Sequence, residues 1–301
     1  MKKIIYIAVL LMLFRSVSAQ QLPFLEGYNV NPFSLSSSYA GIHNSKILFM
    51  DYRSDWSGLN GGPSTMHMSY NTRFSDKVGL GGRFIWDKTD IFRQSLILGT
   101  YTYEVKISEN HLINFGLSGG FFRNSIDLSK YYNNPDYVQD EVLMYGREKS
   151  KIKFATDLGV LYRYEQIEAG FLFSNIMLGT AKYRDTDLTY KPFRNYIVHG
   201  AYNYVIDDRW SVKTVMVFRD GKNVPGQFEI SPSVIWEEKF WGNVLFRTGG
   251  IFGLGFGGEV YKGVLVNYSN NLSSGIAMNT FGSHQITIGI RVQEILGNRN
   301  D

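Results

Sequence analysis

Alternating apolar and polar positions run through most of the chain after Ser45 and predict β-strands. Between residues 65 and 74 the apolar side chains occupy one phase of the alternation, at Met66, Met68, Tyr70 and Phe74. A repeat of two is what a strand imposes, because successive side chains point to opposite faces. The alternation recurs in about fourteen stretches of roughly ten residues, the length that a tilted strand needs to cross a bilayer. The pattern predicts an all-β fold, a transmembrane outer-membrane antiparallel β-barrel over residues 46–293; a soluble β-sandwich or propeller is the alternative.

The connections between these stretches alternate in length. Short turns are predicted at Ser75–Lys77 and Glu165–Gln166, and long connections at Ser54–Ser64 and Lys88–Gln94. A barrel with short periplasmic turns and long outer loops produces this alternation, so the first connection should face outward. The join at Gly249–Gly250 breaks the rule, because it is short where a long loop is due, and it suggests a mistaken strand boundary.

The polar phase of the strands carries most of the charged side chains. These are Arg73, Asp157, Arg163, Lys213, Arg219 and Arg291, together with His67 and His199. A charge that faced lipid at mid-depth would cost about 2–4 kcal/mol, so we assign this phase to the lumen. We expect these side chains to solvate a water-filled or plugged interior rather than to form a chemical site.

Composition narrows the class of protein further. Aromatic residues make up 15% of the 301 positions, glycine is abundant at 31, and mean hydropathy is only -0.16, which disfavours a helical membrane bundle. The chain has no cysteine, which excludes disulfides and thiolate metal sites. The net charge of +4 comes from scattered residues, without the dense basic run of a nucleic-acid-binding arm, so we expect no nucleic-acid partner.

The amino terminus has the pattern of a secretory signal peptide. Lys2 and Lys3 precede an apolar stretch over residues 4–14, and small residues lead up to Ala19. The pattern predicts a signal peptide over residues 1–19 that is cleaved before Gln20; a retained N-terminal membrane anchor is the alternative.

The segment from 20 to 45 has neither a strand nor a helix pattern. Pro23, Pro32 and the run Ser36–Ser38 discourage a long regular element. We predict that it is irregular and lies in the periplasmic mouth of the barrel or fills its lumen. Residues 294–301 are predicted to form a C-terminal tail.

Motifs for chemistry are weak in this sequence. The run GLGFGG at residues 253–258 fits a dinucleotide-binding spacing, but strand-like residues follow it where a helix would be needed. The five histidines are dispersed without metal-ligand spacing, so we predict no metal and no cofactor. His284 with a serine and an acid could be imagined as a hydrolase site, yet nothing fixes such a triad, and we predict no catalytic residues.

Separate short motifs together resemble one known family. Asn31-Pro32 precedes Tyr39-Ala40-Gly41, the stretch Tyr52–Thr65 reads Y-R-x-x-W-x-G-x-x-G-x-P-x-T, and Phe246–Gly250 and Gly282–Gln285 come late in the chain. The pattern resembles the PorP/SprF family of Bacteroidota outer-membrane proteins. The residues that carry the resemblance are Asn31, Pro32, Tyr39, Gly41, Tyr52, Arg53, Trp56, Gly58, Gly61, Pro63, Thr65, Arg247 and His284. Ser37-Ser38 and Gln285 depart from the family's usual Asn-Pro and Glu.

The resemblance implies a barrel of the Gram-negative cell outer membrane that is not an enzyme and takes part in type IX secretion and gliding motility. It implies help with export or surface anchoring of a large adhesin through that adhesin's C-terminal domain. It also implies periplasmic partners, an OmpA-like protein and motor-ring components, besides outer-membrane lipid. A general solute porin or small-molecule transporter is the alternative function.

The loop from Asp51 to Thr65 is expected to be the first outward loop. Its glycines supply backbone conformations that other residues avoid, and Arg53 and Trp56 are the side chains able to anchor it in the barrel mouth. A structural lid and direct contact with an exported protein are both open for this loop.

Overall fold

The structure is a computed structural model that describes residues 25–42, 46–128, 147–149, 152–177, 181–182, 189–190, 195–221, 224–274 and 280–296. The predicted signal peptide and its cleavage before Gln20 lie outside the described residues. So do the outer parts of the predicted 20–45 segment and of the C-terminal tail.

Fourteen long antiparallel strands form the described barrel. They are β1 Ile47–Ser54, β2 Ser64–Arg73, β3 Val78–Thr89, β4 Phe92–Lys106, β5 His111–Asp127, β6 Lys153–Tyr164, β7 Ile167–Met177, β8 Asn195–Val205, β9 Trp210–Gly221, β10 Val224–Trp236, β11 Phe240–Arg247, β12 Ile251–Tyr261, β13 Val264–Ser273 and β14 Ser283–Arg291. Each strand pairs with the next, and β1 pairs with β14 from Ile47 opposite Arg291 to Ser54 opposite His284, which closes the ring. The predicted barrel of about fourteen strands is confirmed.

Three minor elements accompany the barrel outside its ring. Arg147–Lys149 pairs with the outer end of β5, and Ala181–Lys182 pairs with Thr189–Tyr190. A one-turn helix, Val292–Leu296, follows β14. No helix among the described residues has the length and apolar character needed to cross a membrane.

The strand ends identify the two sides of the barrel. The start of β1 and the end of β14 lie together, at the end that carries the short turns at residues 74–77 and 165–166. Short turns mark the periplasmic end of such barrels, so the β1–β2 connection lies at the outer end.

Two predicted connections differ in the structure. Lys88–Gln94 is not a long loop, because β3 continues to Thr89 and β4 begins at Phe92, with Asp90 in the left-handed region at a φ of 47°. Polar residues there were taken as loop residues, but a strand that extends beyond the lipid meets water and tolerates them. The short join at Gly249–Gly250 is a real outer turn rather than a misplaced boundary, since both glycines have positive φ, 91° and 73°.

Burial follows the predicted phases. Outward side chains such as Ile97, Leu117 and Leu158 are 55%, 52% and 50% exposed and form the apolar surface that meets lipid. The opposite phase is buried in the lumen, where His67 and Asp157 are 1% and 3% exposed. The barrel therefore has an apolar exterior and a polar interior.

Residues 25–42 lie inside this interior as three short 3₁₀ turns at Gly27–Asn29, Pro32–Ser34 and Ser37–Tyr39. Tyr28 and Leu35 pack against Ala201, Val215 and Val217 on β8 and β9. We call residues 25–42 the lumen plug.

Candidate functional site: the lumen plug and the outer rim

The lumen plug runs from the outer half of the barrel to its periplasmic end. At its start, the Glu26 amide donates a hydrogen bond of 2.9 Å to Gln285 Oε1, near the outer end of β14. At its end, the Gly41 amide donates one of 3.2 Å to Asn71 Oδ1, near the periplasmic end of β2. The chain therefore descends through the lumen before β1 turns back across the membrane.

An acid buried in the outer half fixes the start of the plug. The carboxylate of Glu26 lies 3.1 Å from Arg53 Nη1 and 2.5 Å from Arg247 Nη2, and its side chain is 2% exposed. Burial by itself would raise the pKa of Glu26, but the two guanidinium groups hold it below the ordinary value. The carboxylate therefore stays ionised and joins the plug to β1 and β11 at once.

The same cluster extends across the barrel to β10. Arg247 Nε donates to Glu229, and Glu229 accepts a hydrogen bond from the Tyr28 hydroxyl. We call Glu26, Arg53, Glu229 and Arg247 the outer cluster. Its charges balance, two acids against two arginines, which is what allows so many charged groups to be buried together.

Beneath the outer cluster, Asp51 gathers three hydrogen-bonding side chains. Thr287 Oγ1 donates to its carboxylate at 2.6 Å, Gln285 Nε2 donates at 3.3 Å, and His67 Nδ1 lies 2.8 Å away. Gly27 passes so close that a Cβ there would lie 2.8 Å from Asp51 Oδ1. Only a glycine lets the plug approach this wall.

Small residues let the middle of the plug touch the strands directly. Ser36, Ser37 and Ser38 are each 0% exposed. A Cβ added at Gly116 on β5 would lie 2.5 Å from both Ser37 C and Ser38 N. The Ser37-Ser38 departure from the family pattern therefore falls where the plug backbone meets a glycine of the barrel wall.

Side chains on four strands hold the lower plug. Asn31 Nδ2 donates to Ser69 Oγ at 2.9 Å, and the Tyr39 hydroxyl donates to Glu168 at 3.0 Å. Thr102 Oγ1 donates to the Ala40 carbonyl at 2.8 Å. Together with the Gly41 contact on β2, these bonds attach the plug to β2, β4 and β7 through much of its length.

At the outer end, the β1–β2 loop is bound to the β13–β14 loop. The Ser57 amide donates to the Gly282 carbonyl at 2.8 Å, and the Phe281 amide donates back to Ser57 at 2.8 Å. Trp56 and Gly58 have positive φ, 52° and 92°, and Gly58 leaves room for the Phe281 ring, which a Cβ would meet at 2.8 Å. Two loops distant in sequence therefore form one braced outer rim.

This outer rim exposes apolar side chains beyond the ends of the strands. Trp56 is 42% exposed, Leu59 55% and Phe281 78%. We call these three residues the rim patch. Because they belong to loops rather than to the lipid-facing strands, their exposure suits contact with another protein.

Several residues of the resemblance contribute to these two features. Asn31, Tyr39, Gly41, Arg53 and Arg247 hold the plug, as described above. Asp55, beside the loop, pairs with Arg53 at 2.7 Å and donates its amide to the Pro63 carbonyl. Thr65 Oγ1 donates to Asp87 at 2.7 Å, and the Gly61 carbonyl accepts from the Asp90 amide at 3.1 Å.

Tyr52 and His284 lie elsewhere, on the outward phase of their strands. The Tyr52 side chain is 54% exposed on the lipid-facing side. His284 Nδ1 lies 2.7 Å from the Tyr268 hydroxyl, and its Nε2 lies 3.1 Å from the Phe281 carbonyl. Its described neighbours thus provide neither a serine hydroxyl nor an acid for a hydrolytic site.

The inward charges mostly form ion pairs on the barrel wall. Arg73 and Arg163 both contact Glu104, Arg83 lies 2.6 Å from Asp157, and Arg291 lies 2.9 Å from Glu259. Lys213 and Arg219 share the inward phase of β9. Sequence reasoning missed Glu26, Asp51, Glu104 and Glu229. An isolated acid in the lumen phase of a chain rich in lumen arginines is the signal that could have found them.

Within the described residues, no group of three His, Cys, Asp or Glu side chains could hold a metal ion. The arrangement of the plug and rim can anchor, close and present a surface.

Comparison with known proteins gives a family match. The family model of the type IX secretion system membrane protein PorP/SprF matches residues 17–290. No curated protein matches the chain.

Solved outer-membrane structures are similar at low sequence identity. A Pseudomonas aeruginosa FadL homologue has a TM-score of 0.51 and 8% identity, covering 85% of this chain and 92% of that one. The CymD monoaromatic hydrocarbon channel has a TM-score of 0.49 and 12% identity, with 91% and 93% covered. The outer membrane protein Omp33 of Acinetobacter baumannii has 0.48 and 7%, with 82% and 99% covered. The likeness to the FadL homologue shows the shared barrel fold alone.

Proposed function

The chain belongs to the PorP/SprF family of type IX secretion system membrane proteins, and we propose that it assists the export or surface anchoring of a large adhesin. In this proposal the barrel sits in the outer membrane, and the C-terminal domain of the adhesin docks on the outer rim. The signal peptide is removed before Gln20, and the protein takes part in gliding motility without catalysing a reaction.

The observation that carries the proposal is the plug beneath a braced rim. The plug is attached from Glu26 to Gly41, so it occupies the lumen along most of the barrel. Above it, the rim patch presents Trp56, Leu59 and Phe281 outside the lipid. A closed barrel with an apolar outer surface suits a docking platform.

The alternative function, a general porin or small-molecule transporter, receives less support. A porin needs a continuous aqueous path, whereas the plug fills the lumen with hydrogen-bonded backbone and buried ion pairs. On the periplasmic side, we propose that an OmpA-like protein or motor-ring component binds near the one-turn helix Val292–Leu296 and the exposed Phe74.

Truncating the rim patch is expected to release the adhesin without unfolding the barrel. The double variant Trp56→Ala, Phe281→Ala removes two exposed aromatic side chains, the residue type that dominates protein interfaces. If each contributes about 1.4 kcal/mol of binding, surface adhesin should fall on the order of a hundredfold. Quantitative immunoblotting of shaved cells measures this loss, and heat-modifiable electrophoresis verifies that the barrel is folded.

Phe74→Ala supplies the matched control, because Phe74 is also an exposed aromatic, at 71%, but lies in a periplasmic turn. It should leave the amount of surface adhesin unchanged. Normal surface adhesin in the double variant would refute docking on the rim patch.

A further inference from the structure

A cavity of about 140 Å³ lies in the outer half of the lumen beside the plug. Its apolar wall is formed by Ile85, Leu96, Leu98, Phe122, Leu172 and Ile197. Leu25 and Leu35 of the plug complete the lining. An apolar cavity of roughly 150 Å³ is large enough to bind benzene, so one or two apolar side chains would fill this one.

The chain itself leads into this cavity. Leu25 is the first described residue of the plug and already lines the cavity. The residue before it must lie about 3.8 Å away along the backbone. The preceding residues 22–24, which lie outside the described part of the chain, read Leu-Pro-Phe. Their apolar character matches the wall, and a proline favours the extended backbone of a chain threading a narrow space.

We propose that residues 22–24 dock in this cavity and close the outer half of the lumen. The occupant is a segment of the same chain, so no external ligand is needed to cover Leu98 and Phe122, which are each 2% exposed. The proposal concerns closure of the barrel and does not depend on the role in secretion.

Charges beside the cavity suit a chain that begins close by. The carboxylates of Asp87 and Asp220 line the cavity, and the Thr65 hydroxyl donates to Asp87. With cleavage before Gln20, the new α-amino group lies five residues before Leu25, within about 17 Å at full extension. A carboxylate within that reach can neutralise the amino group, which favours the chain's own terminus over an apolar neutral ligand.

Disulfide trapping tests the docking cleanly, because the natural chain has no cysteine. The double variant Phe24→Cys, Leu98→Cys places one thiol on the segment and one on the cavity wall. On oxidation of the full-length barrel in outer-membrane vesicles, the docked segment should form the disulfide in most molecules, measured by mass spectrometry of the linked peptides. Two Cβ atoms must come within about 4.5 Å for this bond.

The pair Phe24→Cys, Ile97→Cys is the matched control, because Ile97 neighbours Leu98 but faces lipid, at 55% exposure. It should stay unlinked. If Leu98→Cys prevents folding, Leu172→Cys replaces it on the opposite wall.

The proposal is overturned if neither wall position links to Phe24→Cys. It is also overturned if Phe24→Cys on intact cells reacts with a membrane-impermeant maleimide as fast as Asn60→Cys in the exposed outer loop. A slower reaction, by tenfold or more on the scale of partial burial, supports it.

Discussion

Replacing Gly116 by valine is expected to open the barrel to ions. A side chain at this position would meet the plug backbone, with Ser37 C and Ser38 N both 2.5 Å from its Cβ. Backbone cannot move aside as a flexible side chain can, so the plug must leave its seat on β5. Valine is a good strand residue, so the wall itself should still form. Planar-bilayer recordings should show a steady conductance in the variant and none in the natural protein.

The matched control is Gly99→Val on the neighbouring strand. Gly99 has the outward phase, and the nearest atom to an added Cβ is a carbonyl oxygen at 3.9 Å. This variant should remain closed. A closed Gly116→Val barrel that is folded in heat-modifiable electrophoresis would mean that the plug is not fixed against β5.

Removing the buried acid Glu26 is expected to cause the largest loss of stability among single substitutions in the plug. Glu26→Ala leaves Arg53 and Arg247 buried with one acid each, Asp55 and Glu229. Breaking a buried ion pair costs about 3–5 kcal/mol, and the remaining acids place this loss near the lower end. The midpoint of thermal unfolding, followed by heat-modifiable electrophoresis, should fall clearly below that of the natural protein.

The same acid predicts a dependence on pH. The pKa of Glu26 is lower in the folded protein than its ordinary value of 4.5, since the pull of the arginines exceeds the effect of burial. A lowered pKa means that the stabilisation is complete above pH 4.5 and is lost as the pH falls through the folded-state value. Acid should therefore destabilise the natural protein more than Glu26→Ala. Glu109→Ala, at an exposed periplasmic turn, should behave like the natural protein; an equal acid sensitivity in all three would contradict the role of Glu26.

The strands and the lumen phase could be predicted because they depend on local alternation. The phase that placed His67 and Arg73 opposite Met66 and Met68 is a property of ten consecutive residues, and the closed barrel preserves it. Turn lengths were less predictable. At Lys88–Gln94, polar residues beyond the lipid have the composition of a loop although they continue a strand.

The plug contacts could not be predicted, because they join residues far apart in sequence. Glu26 contacts Arg247 across a separation of 221 residues, and no local pattern in either segment specifies the partner. The resemblance pointed to Arg53 and Arg247 as a set but gave neither of them a structural role. It also grouped His284 with them, whereas the strand phase turns His284 outward and its neighbour Gln285 inward, where Gln285 holds the Glu26 amide.

The placement of the loop Asp51–Thr65 brings the two open roles for it together. Its first residues hold the plug through Asp51 and Arg53, which is the role of a structural lid. Its tip is bound to Phe281 and exposes Trp56 and Leu59, which is the arrangement that contact with an exported protein would use. The two roles fall on different residues, so substitutions can separate them.

The most direct test of the central claim is the surface proteome of a strain that lacks this protein. A closed barrel serving type IX secretion predicts that one or a few large surface adhesins disappear from the cell exterior, while uptake of small solutes is unchanged. An unaltered set of surface proteins, accompanied by slower uptake of a small solute, would contradict the account and identify the barrel as a transporter.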